Sequence, residues 1–330
     1  MLFFHRQARS EFDPQPTLSL ILTSPLNYVI RLLYRLLQSL RTPPSPSDPP
    51  IRVVCISDSH TLTQPLPDGD VLIHAGDLTN AGTPAELQSQ IDWLASQPHR
   101  HKIAIAGNHD AYLDPRSRKT LPASDRTALL DWTGVHYLQH SSLDISFHSP
   151  PQASNHSHRA RTRRLVFYGA PQIPACGGPE FAFQYARGRD AWSETVPNDT
   201  DVLITHTPPK WHLDLPVGLG CEWLLKETWR VRPLLHVCGH VHAAAGREYV
   251  WWDQEQATYE RAVNRRGGII RDMFDIVAWF RFARIAYFGF RSLLWDKVWG
   301  GEVKGSILVN AALMYQNSGE LGNPVQVVDI

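Results

Sequence analysis

From residue 51 onward the chain alternates short apolar segments with polar residues, a pattern typical of buried strands. The predicted strands span residues 52–57, 70–74, 102–106, 164–169, 201–205, 234–238, 306–310 and 325–329. An amphipathic segment at 84–96 predicts a helix between the second and third strands. Short buried strands alternating with helical sequence favour an α/β fold, with a site formed by the polar residues at the strand ends.

Residues 1–50 differ in pattern and are predicted to form a separate N-terminal region. Between residues 25 and 41, apolar residues recur at helical spacing with Arg31 and Arg35 largely opposite, which predicts an amphipathic helix. Residues 42–50 read TPPSPSDPP and predict an extended linker. Pro25 and the two arginines argue against a transmembrane span, and no cleavage pattern typical of secretion follows. The sequence is compatible with two roles for this helix, which are docking onto the chain's own domain and binding to a membrane surface.

Residues 51–330 are predicted to form one domain that carries two unusual segments. Residues 141–163 are rich in Ser, His, Pro and Arg and predict a solvated loop, whose histidines are expected at the surface. Residues 250–299 predict an aromatic helical insertion, with Arg281, Arg284 and Arg291 near one face. Three arrangements of this insertion are open: packing against the core, packing against the N-terminal helix, or insertion into a membrane interface.

Charge and cysteine content narrow the class of protein. The 330 residues include 32 Lys plus Arg and 32 Asp plus Glu, so the chain lacks the overall positive charge of a dedicated nucleic-acid binder. Its 4 cysteines are scattered without a CxxC pair, which argues against a disulfide framework and a cysteine zinc site. We therefore expect an intracellular, cytoplasmic protein, peripheral on a membrane if its helices bind one, and not a secreted one. The pattern indicates no oligomeric state.

Five short blocks at the ends of predicted strands carry residues that bind divalent metals. They are Asp58-Ser59-His60, Gly76-Asp77-Leu78-Thr79-Asn80, Gly107-Asn108-His109-Asp110, Thr205-His206-Thr207 and Gly239-His240-Val241-His242. Manganese, iron and zinc favour imidazole together with carboxylate oxygen, and a pair of ions needs a bridging ligand such as Asp77. Each block alone is weak, but all five in this order indicate one metal site.

The joint pattern resembles the calcineurin-like metallophosphoesterase superfamily. The stretches DSH, DGDVLIHAGDLTNAG and KIAIAGNHD are most similar to its metallophosphoesterase-domain-containing branch. The resemblance covers residues 51–245 and resumes near 307–314. It implies a metallophosphoesterase fold, in which two packed mixed β-sheets are flanked by helices in a four-layer α/β/β/α sandwich.

The resemblance also implies which residues hold metal. Asp58, His60 and His242 would hold a first ion, Asn108, His206 and His240 a second, and Asp77 would bridge both. Every ligand position is occupied by a residue that can bind metal, so we expect the chain to be an active phosphoesterase. These ligands accept Mn, Fe, Zn or Mg, of which Mn is favoured here.

The activity implied is metal-dependent hydrolysis of a small phosphoester. A phosphodiester such as a cyclic nucleotide is favoured, attacked by a hydroxide that bridges the metals. His109 would assist the leaving group and Asp110 would orient it, while Asn80 and Asn310 are candidates for substrate contact or ligand support. The alternatives are a phosphomonoesterase or protein phosphatase, and a membrane-associated scaffold that keeps a structural metal centre.

Overall fold

A computed structural model describes residues 11–149, 161–265, 267–301, 304–316 and 318–330. Its helices are α1 (Thr17–Thr23), α2 (Pro25–Leu40), α3 (Pro84–Ser96), α4 (Glu222–Val231), α5 (Gln254–Val263), α6 (Ile269–Phe274) and α7 (Ile276–Lys297). Its first strands are β1 (Arg52–Ile56), β2 (Val71–Ala75), β3 (His101–Ile105), β4 (His136–Tyr137), β5 (Ser141–Ser149) and β6 (Arg161–Ala170). The others are β7 (Ile173–Pro174), β8 (Gln184–Tyr185), β9 (Val202–Thr205), β10 (Leu235–Cys238), β11 (Gly246–Val250), β12 (Ser306–Asn310) and β13 (Gln326–Asp329).

One mixed sheet has the strand order β13-β1-β2-β3-β4. Strands β1 to β4 run parallel, and β13 pairs with β1 in the antiparallel sense. Every residue of β2 is buried, because helices and the second sheet leave neither face to solvent. Parallel pairing brings the carboxyl ends of β1, β2 and β3 to the same edge, where the predicted metal-binding blocks begin.

A second mixed sheet has the order β11-β12-β10-β9-β6-β5, and β7 and β8 form a small separate pair. Strands β6, β9 and β10 run parallel, so the blocks after β9 and β10 also leave from one edge. The two mixed sheets flanked by helices confirm the predicted α/β class.

The prediction of a solvated loop at 141–163 is wrong for the part that the structure describes. Residues Ser141–Ser149 and Arg161–Ala170 form the antiparallel pair β5 and β6. In β5, Leu143, Ile145 and Phe147 are less exposed than the polar residues between them, which is the period-two pattern of a half-buried strand. The high content of Ser, His and Arg concealed that alternation. Residues 150–160, with two of the histidines, lie outside the described residues.

Contacts between Cα atoms group the chain into two compact units whose limits differ from the division at residue 50. One unit holds the two sheets and comprises residues 45–214, 218–248 and 308–330. The other comprises residues 1–44, 215–217 and 249–307 and is largely helical. We refer to these as the sheet unit and the helical unit.

Within the helical unit, α2 packs against α5 and α7. The apolar face of α2 buries Leu26, Ile30, Tyr34 and Leu37, and the ring of Tyr34 stacks on that of Tyr259 with centroids 3.8 Å apart. The N-terminal amphipathic helix therefore packs against the aromatic segment, one of the arrangements left open above. Among the described helices, none alone has the length and apolarity to cross a bilayer, although α1 and α2, bent by 120°, pass that test as a pair.

A buried ion cluster links three elements of the helical unit. Arg41, at the end of α2, lies 2.6 Å from Asp253, 3.2 Å from Asp296 and 3.6 Å from Glu255. Three carboxyls around one guanidinium leave an excess of negative charge. Burial, together with the charge of Asp253, raises the pKa of Glu255 to about 8, so this carboxyl is mainly protonated at neutral pH.

Candidate metal centre

The seven predicted ligands come together at the carboxyl ends of five strands of the sheet unit. Asp58 and His60 follow β1, Asp77 follows β2, Asn108 follows β3, His206 follows β9, and His240 and His242 follow β10. Four of them have left-handed backbone: Asp58 (φ 52°), His60 (45°), Asp77 (54°) and His240 (69°). Such conformations are costly for residues other than glycine and cluster at functional sites. The backbone leaves each strand sharply, which turns these side chains into one place.

One group of potential ligands consists of Asp58, His60 and His242, whose nearest ligand atoms all lie within 4.8 Å of one another. The Nε2 atom of His242 is 3.1 Å from Asp58 Oδ1 and 3.4 Å from Nε2 of His60. The backbone N–H of His240 donates to both oxygens of Asp58 at 3.0 Å. On the far side of its ring, His242 Nδ1 contacts the carbonyl oxygen of Gln316.

A second group consists of Asp77, His206 and His240, with the same 4.8 Å limit. The Nε2 atom of His206 lies 3.3 Å from Asp77 Oδ2 and 3.0 Å from Asn108 Oδ1, so the amide oxygen joins the group. The other nitrogen of His206 is 2.9 Å from the carbonyl oxygen of Ala75. Oδ2 of Asp77 is also 3.8 Å from Nε2 of His60, which places this oxygen between the two groups.

The donor set fits divalent cations. In His206 and His242 one ring nitrogen is occupied by a backbone carbonyl and the other faces a carboxylate, the arrangement that orients metal-binding histidines. Burial raises the pKa of Asp58, but the hydrogen bond and charge of His242 lower it more, so its pKa lies below the ordinary value. Burial lowers the pKa of His206, yet the charge and hydrogen bond of Asp77 raise it to about 9. The two buried carboxylates, Asp58 and Asp77, therefore favour the binding of positively charged groups at this site.

Glycines leave room for both carboxylates. A Cβ atom added at Gly107 would lie 2.2 Å from Asp77 Oδ1, and one added at Gly239 would lie 2.2 Å from Asp58 Oδ2. Both distances are far below van der Waals contact. From the sequence, both glycines are expected to let the chain turn off its strand, and the requirement for space depends on a second strand that the sequence does not reveal.

His109 lies beside the first group but is held by other contacts. Its Nδ1 atom is 2.9 Å from the carbonyl oxygen of Asn80, and its ring packs against Phe181 with centroids 4.9 Å apart. One of its ring nitrogens lies within 4.8 Å of ligand atoms of His60 and Asp77. Asn80 therefore acts through its backbone. Phe181 was missed by sequence reasoning, because no motif marks it.

The structure gives Asp110 a different role from the predicted orientation of His109. Its carboxylate accepts hydrogen bonds from the backbone N–H groups of Gly107 (2.8 Å) and Thr79 (3.0 Å) and from the Thr79 hydroxyl (2.7 Å). These bonds tie the loop after β3 to the loop after β2. Because the carboxylate is buried and used in this way, the contact that orients His109 is the Asn80 carbonyl.

Asn310 supports two of the candidate ligands, His240 and His242, through the backbone between them. Its side-chain amide donates to the carbonyl oxygens of Val241, at 2.9 Å, and Leu213, at 3.1 Å. Val241 separates His240 from His242, so Asn310 fixes the backbone that carries both. His74 is also a supporting residue, with Nε2 2.9 Å from the Ser59 hydroxyl between Asp58 and His60.

Comparisons with known proteins agree with this geometry. The sequence profile of the calcineurin-like phosphoesterase family matches residues 51–244. Over 63% of its length the chain is 36% identical to UPF0046 protein K07C11.7 of Caenorhabditis elegans, of which it covers 69%. Over 62% it is 35% identical to human metallophosphoesterase domain-containing protein 1, of which it covers 65%.

A third relative differs in length. The chain is 40% identical, over 79% of its length, to a protein of Emericella nidulans named probable rhamnogalacturonate lyase C, but it spans only 23% of that protein. The lyase name therefore describes a much longer chain. The profile match covers more than half of the present chain, and the Asp, His and Asn cluster lies inside it. The chain belongs to the calcineurin-like phosphoesterase family of metal-dependent hydrolases.

Proposed function

We propose that this chain hydrolyses a phosphodiester with two divalent ions, of which Mn²⁺ is favoured. The first ion would be held by Asp58, His60 and His242, the second by Asn108, His206 and His240, and both by Asp77. The position of Asp77 Oδ2 supports this, since it lies 3.8 Å from Nε2 of His60 and 3.3 Å from Nε2 of His206. Two such ions polarise phosphoryl oxygens and lower the pKa of water.

The observation that carries the proposal is the placement of His109. Its backbone N–H donates to Asp77 Oδ1 at 2.7 Å, which ties the residue to the centre of the site. Its Nδ1–H donates to the Asn80 carbonyl, so Nε2 is the nitrogen left to meet substrate. In our proposal the doubly protonated ring donates a hydrogen bond from this nitrogen to the leaving oxygen and transfers that proton to it, which leaves a neutral ring that keeps its Nδ1–H. A metal centre that served only as a scaffold would not need a histidine fixed in this way.

The charges of the site favour a diester over a monoester. The charged groups with the largest effect on the pKa values of Asp58 and Asp77 are histidines and, for Asp58, the carboxylate of Asp77. A phosphodiester carries one negative charge, whereas a phosphomonoester carries up to two and needs more cationic partners. Histidines and two metal ions suit the single negative charge of a phosphodiester. Cyclic nucleotides are therefore the diesters to assay first.

The test compares two chromogenic substrates, bis(p-nitrophenyl) phosphate and p-nitrophenyl phosphate. The full chain is stripped with a chelator and reloaded with Mn²⁺, and bound metal is counted by mass spectrometry. We expect turnover of the diester that depends on metal, with about two ions per chain. Faster turnover of the monoester would favour the phosphomonoesterase alternative.

Two variants complete the test. His109→Ala is expected to keep its metal and lose about 10²- to 10⁴-fold in turnover. His148→Ala is the matched control, because His148 is an exposed histidine on β5 that contacts Thr162. Full metal content without turnover of either substrate would reject the enzyme and support the scaffold alternative.

A further inference from the structure

Helix α7 carries large apolar side chains on its outward face. Ile276, Phe280, Tyr287 and Phe290 recur at helical spacing and are between 61% and 81% exposed. The residues that α7 buries are Ala278, Ile285 and Gly289, two of which are the smallest available. This helix thus presents more aromatic surface to solvent than to its own unit, the reverse of an ordinary surface helix.

The exposed apolar face continues beyond α7. The other large exposed residues of this segment are Ile269, Ile270, Met273, Phe274, Val277, Trp279, Trp295, Val298 and Trp299. We call the exposed residues of 269–299 the aromatic face. Contiguous apolar surface of this extent is rare on a protein that works alone in water and marks an interaction site.

Basic residues outnumber acidic residues in the same segment. Its acidic residues are Asp272, Asp275 and Asp296, and all three are tied to arginines of the helical unit. Its basic residues are Arg271, Arg281, Arg284, Arg291 and Lys297. The segment thus holds five basic and three acidic residues, and each acid is paired with an arginine, so the surface around the aromatic face has a net positive charge.

Two of these arginines lie next to the aromatic rings. The guanidinium of Arg284 is 5.8 Å from the ring centroid of Phe280 and 5.2 Å from that of Phe288, and Arg291 is 5.3 Å from Phe288. Arg284 and Arg291 are seven residues apart and therefore share one side of the helix. Long basic side chains beside an apolar stripe can bury their stems and present their charge to phosphate groups.

We propose that the aromatic face inserts into the interface of a membrane that contains anionic lipids. Trp and Tyr are the residues that favour the headgroup level, and Phe and Ile would enter the acyl boundary. The cationic side chains would meet lipid phosphates and carboxylates. A second copy of the chain is the poorer occupant, because it would bring like charges together. The inference is independent of the proposed hydrolase activity.

The experiment measures co-sedimentation of the full chain with vesicles of phosphatidylcholine alone and of phosphatidylcholine mixed with phosphatidylserine. We expect binding to the mixed vesicles that weakens as salt is added. The variant Ile276→Ser/Phe280→Ser/Phe290→Ser should lose at least about tenfold in affinity. The matched control is Leu129→Ser in the sheet unit, because Leu129 is 98% exposed and lies outside the aromatic face.

A second variant tests charge without removing apolar surface. Arg284→Gln/Arg291→Gln should lose about fivefold in affinity per arginine for mixed vesicles and nothing for neutral ones. It keeps the inference testable if the triple variant fails to fold, which circular dichroism will show. Failure of the natural chain to bind mixed vesicles overturns the proposal. Dimerisation that the triple variant abolishes, with vesicle binding unchanged, would overturn it in favour of a second copy.

Discussion

The Nδ1 atom of His109 lies 2.9 Å from the carbonyl oxygen of Asn80, so a backbone group after β2 orients a side chain that follows β3. Because the carbonyl accepts a hydrogen bond from Nδ1–H, Nε2 is the ring nitrogen that stays available to the substrate. This contact makes the orientation of His109 independent of the side chain at residue 80.

The first prediction compares these two residues. Asn80→Ala keeps the carbonyl and is expected to hydrolyse the diester at a rate close to that of the natural chain. His109→Ala should lose about 10²- to 10⁴-fold because no group then assists the leaving oxygen. Steady-state kcat with Mn²⁺ is the measurement. A large loss in Asn80→Ala would show that its side chain touches the substrate.

The second prediction concerns space beside Asp58. In Gly239→Ala the new Cβ atom would lie 2.2 Å from Asp58 Oδ2 and 2.1 Å from Ser57 Oγ, so the carboxylate must move. We expect loss of bound metal and a destabilisation of about 1–3 kcal/mol. Gly268→Ala is the control, since its Cβ would be 3.7 Å from the nearest atom, Cβ of Arg271. Unchanged metal content in Gly239→Ala would contradict the proposed role of Asp58.

The third prediction separates two roles for Asp110. Asp110→Asn keeps the shape but replaces one acceptor oxygen by an NH2 donor, which would face the N–H group of either Gly107 or Thr79. The free energy of unfolding in urea should fall by about 2 kcal/mol, because a buried N–H loses its partner. Lower turnover with unchanged stability would instead assign Asp110 to the orientation of His109.

The fourth prediction uses the buried cluster of the helical unit. Glu255 is faced by Arg41 and Gln38 from α2, Asp253 before α5 and Asp296 from α7, and its pKa is about 8 in the folded chain against 4.5 in the reference state. Between these values the folded state binds more protons than the unfolded state. Stability should therefore decrease as pH rises from about 4.5 through 8.

Glu255→Gln removes this titration, and its melting temperature should depend less on pH than that of the natural chain. The readout is thermal unfolding across pH 5 to about 9. Glu320→Gln is the control, because it makes the same substitution at an exposed position of the sheet unit. Identical pH profiles for Glu255→Gln and the natural chain would show that Glu255 is already ionised at low pH.

The sequence by itself determined the strands, the five polar blocks and the residue types at their ends. Apolar runs of four to six residues predict buried strands because such runs must be covered on both faces, and all eight predicted strands overlap observed ones. Strand β5 is the longest of the strands that were not predicted, because its Leu143, Ile145 and Phe147 alternate with polar residues inside a polar segment. Local composition there outweighed the period-two signal.

The contacts that orient His109 and hold the ligand loops in place could be identified from the folded chain alone. These contacts join segments about thirty residues apart in the sequence. They are the hydrogen bond from His109 to the Asn80 carbonyl, the hydrogen bond from Thr79 to Asp110, and the close approach of Gly107 to Asp77. Sequence also left open how the aromatic segment packs, because its two faces are both apolar. In the structure α7 buries Ala278, Ile285 and Gly289 and exposes Phe280, Tyr287 and Phe290, and the small Ala and Gly allow close helix packing.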